Sequence, residues 1–93
     1  MSETVTKKLL IQNLKGLHAR ATASFVKVAS QFQSDIEVVK GDESMAVSGK
    51  SIMGILMLAV PLGAEITVTA KGPDAQEAMN ALEELVNARF NED

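Results

Sequence analysis

Ala64-Glu-Ile-Thr-Val-Thr-Ala-Lys71 is the stretch that decides the fold of this chain. Small or apolar residues occupy its even-numbered positions, and charged or hydroxyl-bearing residues occupy its odd-numbered positions. A period of two predicts a β-strand with one buried and one solvated face. Strands of this kind are typical of antiparallel sheets that pack one face on a core. We therefore expect helices on the apolar face, which gives a two-layer α+β domain.

The elements on either side of this strand follow from the same kind of periodicity. Upstream, we predict a strand over residues 5–12, a helix over about 19–33, a strand over 35–40, its hairpin partner over 43–48 and a short helix over 52–59. The hairpin turn falls at Gly41-Asp42, and Pro61 and Gly63 end the short helix. Downstream, Pro73 opens a last helix that ends near Phe90. The predicted order is β-α-β-β-α-β-α in a single domain, residues 1–93.

The composition excludes several kinds of site. The 93 residues contain no Cys and one His, so disulfides, thiol catalysis and thiolate or multi-histidine metal sites are ruled out. The net charge of −3 argues against nucleic-acid binding. Residues 4–34 hold five basic and no acidic residues. This basic segment favours an anionic ligand or an acidic partner surface, with an ordinary solvated face as the alternative.

The sequence shows no segment for export or for spanning a membrane. The first eight residues lack the apolar run of a signal peptide. The longest apolar run, residues 55–62, is far too short to cross a bilayer. We therefore expect a cytoplasmic protein without membrane insertion.

The motif Gly16-Leu17-His18-Ala19-Arg20 places the single histidine between a glycine loop and a predicted helix start. Unpaired N–H groups and a partial positive charge make a helix N-terminus an anion site. The same charge favours the neutral imidazole, whose nitrogen lone pair is the nucleophile that phosphoryl transfer needs. Arg20 adds an always charged donor, and Gly16 allows a close backbone approach. A surface histidine without function is the alternative, and composition alone does not decide between them.

The second motif is Ser48-Gly49-Lys50-Ser51 with the apolar helix that follows it. Helix capping is the simplest role for its serines. Phosphorylation of Ser51 is the alternative, since a phosphate in the first turn would add negative charge beside an apolar surface. The apolar residues over 52–58 are too many for one core-facing stripe. Some are therefore expected to be exposed and to form a partner-docking surface.

No other motif indicates catalysis. Gly49-Lys50-Ser51 resembles the end of a P-loop, but the earlier glycine is missing. The acidic pairs Glu83-Glu84 and Glu92-Asp93 are interpreted as solvated charges of the last helix and tail. There is no carboxylate pair near His18 in the sequence and no cofactor motif. We therefore expect no cofactor, no metal and no independent enzymatic turnover.

Together, Gly16-Leu17-His18-Ala19-Arg20 and Lys50-Ser51-Ile52-Met53-Gly54 resemble the two site signatures of the HPr family of phosphocarriers. This family belongs to the phosphoenolpyruvate-dependent phosphotransferase system. The motifs have the order and nearly the separation of the family, and the resemblance covers essentially the whole chain. It implies an open-faced β-sandwich, with four antiparallel strands and three helices on one face. One departure is Ala21, where the family often has Pro.

The resemblance also implies roles and partners. His18 would receive a phosphoryl group on Nδ1 from Enzyme I and pass it to an Enzyme IIA-type acceptor. Arg20, with Ala19 and Gly16, would hold the phosphate, and Ser51 would be the target of an HPr kinase/phosphorylase. The docking surface of a monomeric carrier would be formed by Leu17, Ile52, Met53 and Leu56. Sugar uptake and a nitrogen-type phosphorelay both remain open as the pathway.

A non-carrier binding module is the competing hypothesis. In that case Ser51 phosphorylation would create a binding surface and His18 would be idle. The pattern of Gly16 before and Arg20 after His18 counts against it.

Overall fold

The elements of the chain follow the predicted order. The computed structural model describes residues 2–41 and 43–92. Its elements are β1 (Glu3–Leu10), α1 (Ala19–Ala29), β2 (Asp35–Lys40), β3 (Ala46–Ser48), α2 (Ile52–Met57), β4 (Glu65–Gly72) and α3 (Ala75–Asn87), followed by a short turn over Arg89–Asn91. The alternation at residues 64–71 therefore becomes β4, displaced by one residue.

The four strands form one antiparallel sheet in the order β1-β4-β2-β3. β4 lies inside the sheet between β1 and β2. Its residues Ile66, Val68 and Ala70 are fully buried, as the alternation predicts. On the opposite face, the hydroxyls of Thr69 and its ladder partner Thr6 are hydrogen-bonded at 3.0 Å and exposed. The sheet thus has one apolar and one polar face.

The helices cover the apolar face of the sheet. Phe25 of α1, Ile55 of α2 and Met79 of α3 are each buried to 1% exposure or less and belong to one hydrophobic core with the inward strand residues. The fold is the two-layer α+β domain that the periodicity predicts, in the form of the open-faced β-sandwich that the family resemblance implies. Among the described residues, no helix is both long and apolar enough to cross a membrane.

α1 ends at Ala29, four residues before the predicted end. The reason lies at the start of α3, since the carboxylate of Asp74 accepts hydrogen bonds from the backbone N–H groups of Gln33 and Ser34, each at 2.9 Å. Lys50 Nζ also donates to the carbonyl of Phe32 at 2.8 Å. These long-range bonds satisfy the backbone after α1, so the helix does not continue.

The other ends differ from the prediction for local reasons. α2 stops at Met57, because the next turn tightens and Ala59 adopts a left-handed conformation with φ of +52°. β3 has only three residues, and its pairing with β2 begins at Ala46 opposite Val39. Gly41 bonds instead to β4, where its N–H donates to Glu65 at 2.7 Å. Asp42 of the predicted turn lies outside the described residues. β1 runs two residues earlier than predicted, and α3 stops at Asn87.

Candidate functional site

The loop before α1 presents His18. Its tight turn is closed by the N–H of Gly16, which donates to Asn13 at 3.1 Å, and Gly16 has φ of +63°. A side chain at Gly16 would collide with the backbone of Val60 and Pro61. The glycine of the motif is therefore required because the loop lies directly against another backbone segment.

His18 is the N-cap residue of α1, with extended backbone angles φ −74° and ψ −179°. Its carbonyl accepts the first intrahelical bond, from Thr22 N–H at 2.9 Å. The N–H groups of the first turn, including those of Ala19 and Arg20, precede that bond and have no intrahelical acceptor. The first turn contains no acidic residue, and the His18 side chain does not cap it. The imidazole therefore lies at a helix end that can bind an anion.

A pocket of about 460 Å³ opens beside the imidazole. It is lined by Leu14, Lys15, His18, Ala19, Arg20 and Glu92. Two cationic side chains, Lys15 and Arg20, therefore line the pocket together with the ring. Within residues 2–41 and 43–92, no group of three His, Asp or Glu side chains comes together to hold a metal ion. The pocket suits a small anion bound by basic side chains and helix N–H groups.

Glu92 corrects one sequence-based interpretation. Glu92 is interpreted from the sequence as a solvated charge of the tail, but its side chain is only 18% exposed. Oε1 lies 2.9 Å and Oε2 lies 3.2 Å from Nε2 of His18. Asn13 Nδ2 donates to the same Oε1 at 2.8 Å and to the carbonyl of Gly16 at 2.7 Å. The site therefore contains a carboxylate and a buried amide besides the residues of the motif.

The carboxylate of Glu92 is stabilised in its charged form. Hydrogen bonds from His18 first and Asn13 second lower the pKa of Glu92 below its usual value, and burial opposes them only partly. The positive charge of Arg20 acts in the same direction. Glu92 is consequently an anion at neutral pH, facing Nε2 of the ring.

Ser51 is the N-cap residue of α2. Its Oγ accepts a hydrogen bond from the N–H of Gly54 at 3.0 Å, so the predicted capping role is confirmed. The oxygen that caps is the one that a kinase would modify. Ser48 Oγ accepts from Lys50 N–H at 3.1 Å in the preceding turn.

The predicted docking residues divide into two groups. Ile52, Met53 and Leu56 of α2 are 45%, 69% and 36% exposed, while Ile55 between them is buried. Leu17 is only 5% exposed and belongs to the core, so its expected place on a docking surface is wrong. Its N–H donates to the carbonyl of Val60, which anchors the loop, while its side chain packs in the core. Ala21, where the family often has Pro, is fully buried in the first turn of α1.

Comparison with known proteins identifies the family and the fold of the chain. A family model described as "PTS HPr component phosphorylation site" matches residues 5–88. The chain belongs to the HPr family. The phosphocarrier protein HPr of Neisseria meningitidis serogroup A is 49% identical over 82 residues, which is 88% of this chain and 90% of that protein. The phosphocarrier protein NPr of Shewanella violacea is 40% identical over 86 residues, 92% of each chain.

Solved HPr structures have the same architecture. The crystal structure of an HPr from Bacillus anthracis superposes with a TM-score of 0.83 at 42% identity, covering 89% of this chain and 96% of that one. An HPr structure from Thermoanaerobacter tengcongensis gives a TM-score of 0.85 at 43% identity, covering 98% of both. The family is that of phosphocarrier proteins of the phosphotransferase system, and this general role applies to the chain.

Sequence reasoning missed Asn13 and Glu92. Asn13 has the pattern of an ordinary loop residue, and Glu92 lies 74 residues from His18. No spacing rule joins two groups so far apart in a chain. A polar residue within the loop of the motif was the only sequence signal for Asn13.

Proposed function

We propose that this HPr-family chain is a histidine phosphocarrier that accepts a phosphoryl group from Enzyme I on His18 and transfers it to an Enzyme IIA-type acceptor. The observation that carries the proposal is the position of the imidazole, at the N-terminus of α1 in a pocket with Arg20 and Lys15. One nucleophile, helix N–H groups and two cations meet there, which are the parts that phosphoryl transfer requires.

Nδ1 is the proposed phosphorylated atom. Nε2 is engaged by Glu92, so the ring nitrogen with an available lone pair is Nδ1 when the ring is neutral. The N–H groups at Ala19 and Arg20 and the guanidinium of Arg20 would bind the phosphate oxygens. Gly16 allows the loop to approach without a side chain in the way. The chain acts as the substrate of both transfer reactions, and the partner enzymes supply the other half of each site.

The exposed apolar residues of α2 are proposed as the docking surface for both partners. Ile52, Met53 and Leu56 present apolar area that the core does not use. Because each partner must occupy this surface in turn, we propose that the carrier is a monomer, acting as one domain in the cytoplasm. A Met53→Asp variant should raise the KM of Enzyme I for the carrier. The matched control is Leu10→Asp, because Leu10 is also an exposed apolar residue and lies at the end of β1, away from α2 in the chain.

Phosphoryl transfer tests the main proposal. The protein is incubated with phosphoenolpyruvate and Enzyme I and then measured by intact mass. One added phosphoryl group that is labile in acid and stable in base is expected, and it should be lost in His18→Ala but retained in Ser51→Ala. Because the relatives include both HPr and NPr, Enzyme I of the sugar system and of the nitrogen-type system are used in parallel, and the faster donor identifies the pathway. A label that persists in His18→Ala would contradict the carrier role and favour a non-carrier binding module.

Ser51 is the proposed regulatory phosphorylation site. The support is its place at the start of α2, next to the exposed apolar residues, where added negative charge would alter docking. Incubation with HPr kinase/phosphorylase and ATP, followed by mass mapping, should locate phosphate on Ser51. Ser48→Ala serves as the control and should be modified normally, whereas Ser51→Ala should not be modified.

A further inference from the structure

The C-terminal tail reaches the site through an unusual turn. Arg89, Phe90 and Asn91 have φ of +55°, +56° and +59°, a left-handed conformation that residues other than glycine rarely adopt. Phe90 is only 7% exposed and belongs to the hydrophobic core. The burial of Phe90 fixes the turn. Glu92, two residues further along the chain, is thereby placed with its carboxylate in contact with His18. Backbone strain held in place by core packing is characteristic of functional segments.

Asn13 also binds the carboxylate of Glu92, through a hydrogen bond from its side-chain amide. Both groups that its amide faces, Glu92 Oε1 and the Gly16 carbonyl, are acceptors, so the amide must present Nδ2 to them. This orientation leaves Oδ1 of the fully buried Asn13 without a hydrogen-bond partner among the described residues. A buried polar atom left unpaired is unfavourable and calls for a compensating role. The role that the contacts show is to fix Glu92 and the His18 loop together.

We propose that Glu92 is a positioning residue for phosphoryl transfer, whose carboxylate keeps the proton on Nε2 of His18 so that Nδ1 accepts and releases the phosphoryl group. The inference deepens the proposed function and rests on it. Its basis is geometric, since both carboxylate oxygens of Glu92 lie within 3.2 Å of Nε2 and the carboxylate therefore contacts this ring nitrogen rather than Nδ1. A carboxylate that orients a histidine and selects its tautomer is a recurring device in catalysis.

The proton balance of both transfers depends on that proton. On uptake, the lone pair of Nδ1 forms a bond to phosphorus while the bond from phosphorus to the donor atom breaks, and the electron pair of that bond stays with the donor. The phosphorylated ring then carries the Nε2 proton and a positive charge, which Glu92 stabilises. On release, the electron pair of the P–N bond returns to Nδ1 as the acceptor's nucleophile bonds to phosphorus. The leaving group is neutral imidazole if Nε2 is still protonated, and the much poorer imidazolate if it is not.

The charged groups that line the pocket with His18 are Lys15, Arg20 and Glu92. The two cations oppose a positive charge on the ring, and Glu92 favours it. Loss of the carboxylate leaves only the opposing charges. The phosphorylated ring should therefore lose its Nε2 proton at lower pH, and the phosphoryl group should become less labile above that pH.

The test compares wild type with Glu92→Gln, Glu92→Asp and the control Glu84→Gln, which removes one charge from an exposed residue of α3. Nitrogen NMR of the His18 ring at about pH 9, where imidazoles are neutral, measures the tautomer ratio in unphosphorylated protein. The hydrolysis rate of the phosphorylated protein is then measured as a function of pH. We expect Glu92→Gln to populate the Nδ1–H tautomer and to slow hydrolysis at alkaline pH by up to about tenfold, equivalent to one pH unit. Glu92→Asp should recover part of both effects because it keeps the charge.

The outcomes separate the inference from the function on which it rests. If Glu92→Gln has the tautomer ratio and the pH–rate profile of wild type, Glu92 has no positioning role. A purely structural role for the tail would lower stability in both Glu92 variants without changing either measurement. If wild type takes no phosphate from Enzyme I, the proposed function fails, and the tautomer ratio alone then decides whether Glu92 holds the Nε2 proton.

Discussion

Leu17 donates its backbone N–H to the carbonyl oxygen of Val60 over 2.9 Å, which joins the loop before α1 to the loop after α2. Two further backbone hydrogen bonds join the same loops. The N–H of Ile11 donates to the carbonyl of Ala64 at 2.9 Å, and the N–H of Gly63 donates to the carbonyl of Ile11 at 2.8 Å. The segment that presents His18 is thus held by backbone bonds to the segment that follows the exposed apolar helix. Such a close backbone contact leaves no room for a side chain where the two loops meet.

Gly16→Ala should disrupt this contact. The added Cβ would collide with the carbonyl of Val60 and lie 2.8 Å from Cα of Pro61, and the residue would have to keep φ of +63°. The left-handed conformation alone should cost at least about 1 kcal/mol of unfolding free energy. Chemical denaturation measures that loss, and transfer from Enzyme I should slow because the His18 loop is displaced.

Gly41→Ala is the matched control for this prediction. Gly41 also has positive φ, +57°, but a Cβ there would meet nothing within 4 Å. The difference between the two variants therefore isolates the collision from the conformational cost. Equal losses in both variants would show that the two loops separate without penalty.

The regular elements could be predicted from the sequence because their signals are local. The alternation that ends at Lys71 places β4 to within one residue, since a period of two has a single interpretation over so many positions. The end of α1 could not be predicted in the same way. It depends on Asp74, which is 41 residues from Gln33 and bonds to its backbone N–H.

The candidate site was predictable only in its motif residues. His18 and Arg20 are adjacent to a helix start in the sequence, and they line the same pocket in the structure. Glu92 reaches the site through three consecutive residues in the left-handed conformation. None of them is glycine, so the sequence contains no glycine that would predict this turn. Leu17 illustrates a different difficulty. An apolar residue between a loop and a helix fits the core as well as the surface, and the choice is made by tertiary packing, which places the Leu17 side chain in the core.

Ile55→Ala should destabilise the protein by about 2–5 kcal/mol, because it creates a cavity in the core. Ile55 is 1% exposed on α2, whereas its neighbour Met53 is 69% exposed. Met53→Ala is the control and should change the free energy of unfolding by no more than about 0.5 kcal/mol. Urea denaturation of both variants tests the assignment of the two faces of α2. A large loss in the Met53 variant would mean that this side chain is packed rather than available for docking.

Ser51→Ala should lower stability by about 1 kcal/mol. The substitution removes the oxygen that accepts the N–H of Gly54 at 3.0 Å, and a helix of six residues has few other bonds to hold its first turn. Thermal unfolding measures the loss, and amide hydrogen exchange at Gly54 should become faster. Ser51→Thr keeps a capping hydroxyl and should retain most of the stability. If the alanine variant is as stable as wild type, the cap contributes nothing to the free energy of unfolding. Phosphorylation could then break the hydrogen bond from Gly54 to Ser51 Oγ without destabilising the protein.

Acid should weaken the protein through Asp74. Its carboxylate accepts hydrogen bonds from Oγ of Ser34 at 2.6 Å and from two backbone N–H groups of the segment between α1 and β2. These bonds, the one from the Ser34 hydroxyl first, lower the pKa of Asp74 below its ordinary value of 3.8. A group with a lowered pKa in the folded state binds fewer protons there than in the unfolded state. Its stabilising contribution is therefore complete above pH 3.8 and is lost as the pH falls through the folded-state value.

Asp74→Asn measures this contribution directly. The variant should be less stable than wild type at neutral pH, because a side-chain amide offers one acceptor oxygen where the carboxylate offers two. The difference in unfolding free energy should shrink as the pH falls below 3.8, since wild type then loses the same charge. A double-mutant cycle with Ser34→Ala isolates the bond between the two side chains, and its coupling energy should fall over the same pH range. A difference that stays constant down to the acid limit would mean that the segment after α1 is held by something other than the charge of Asp74.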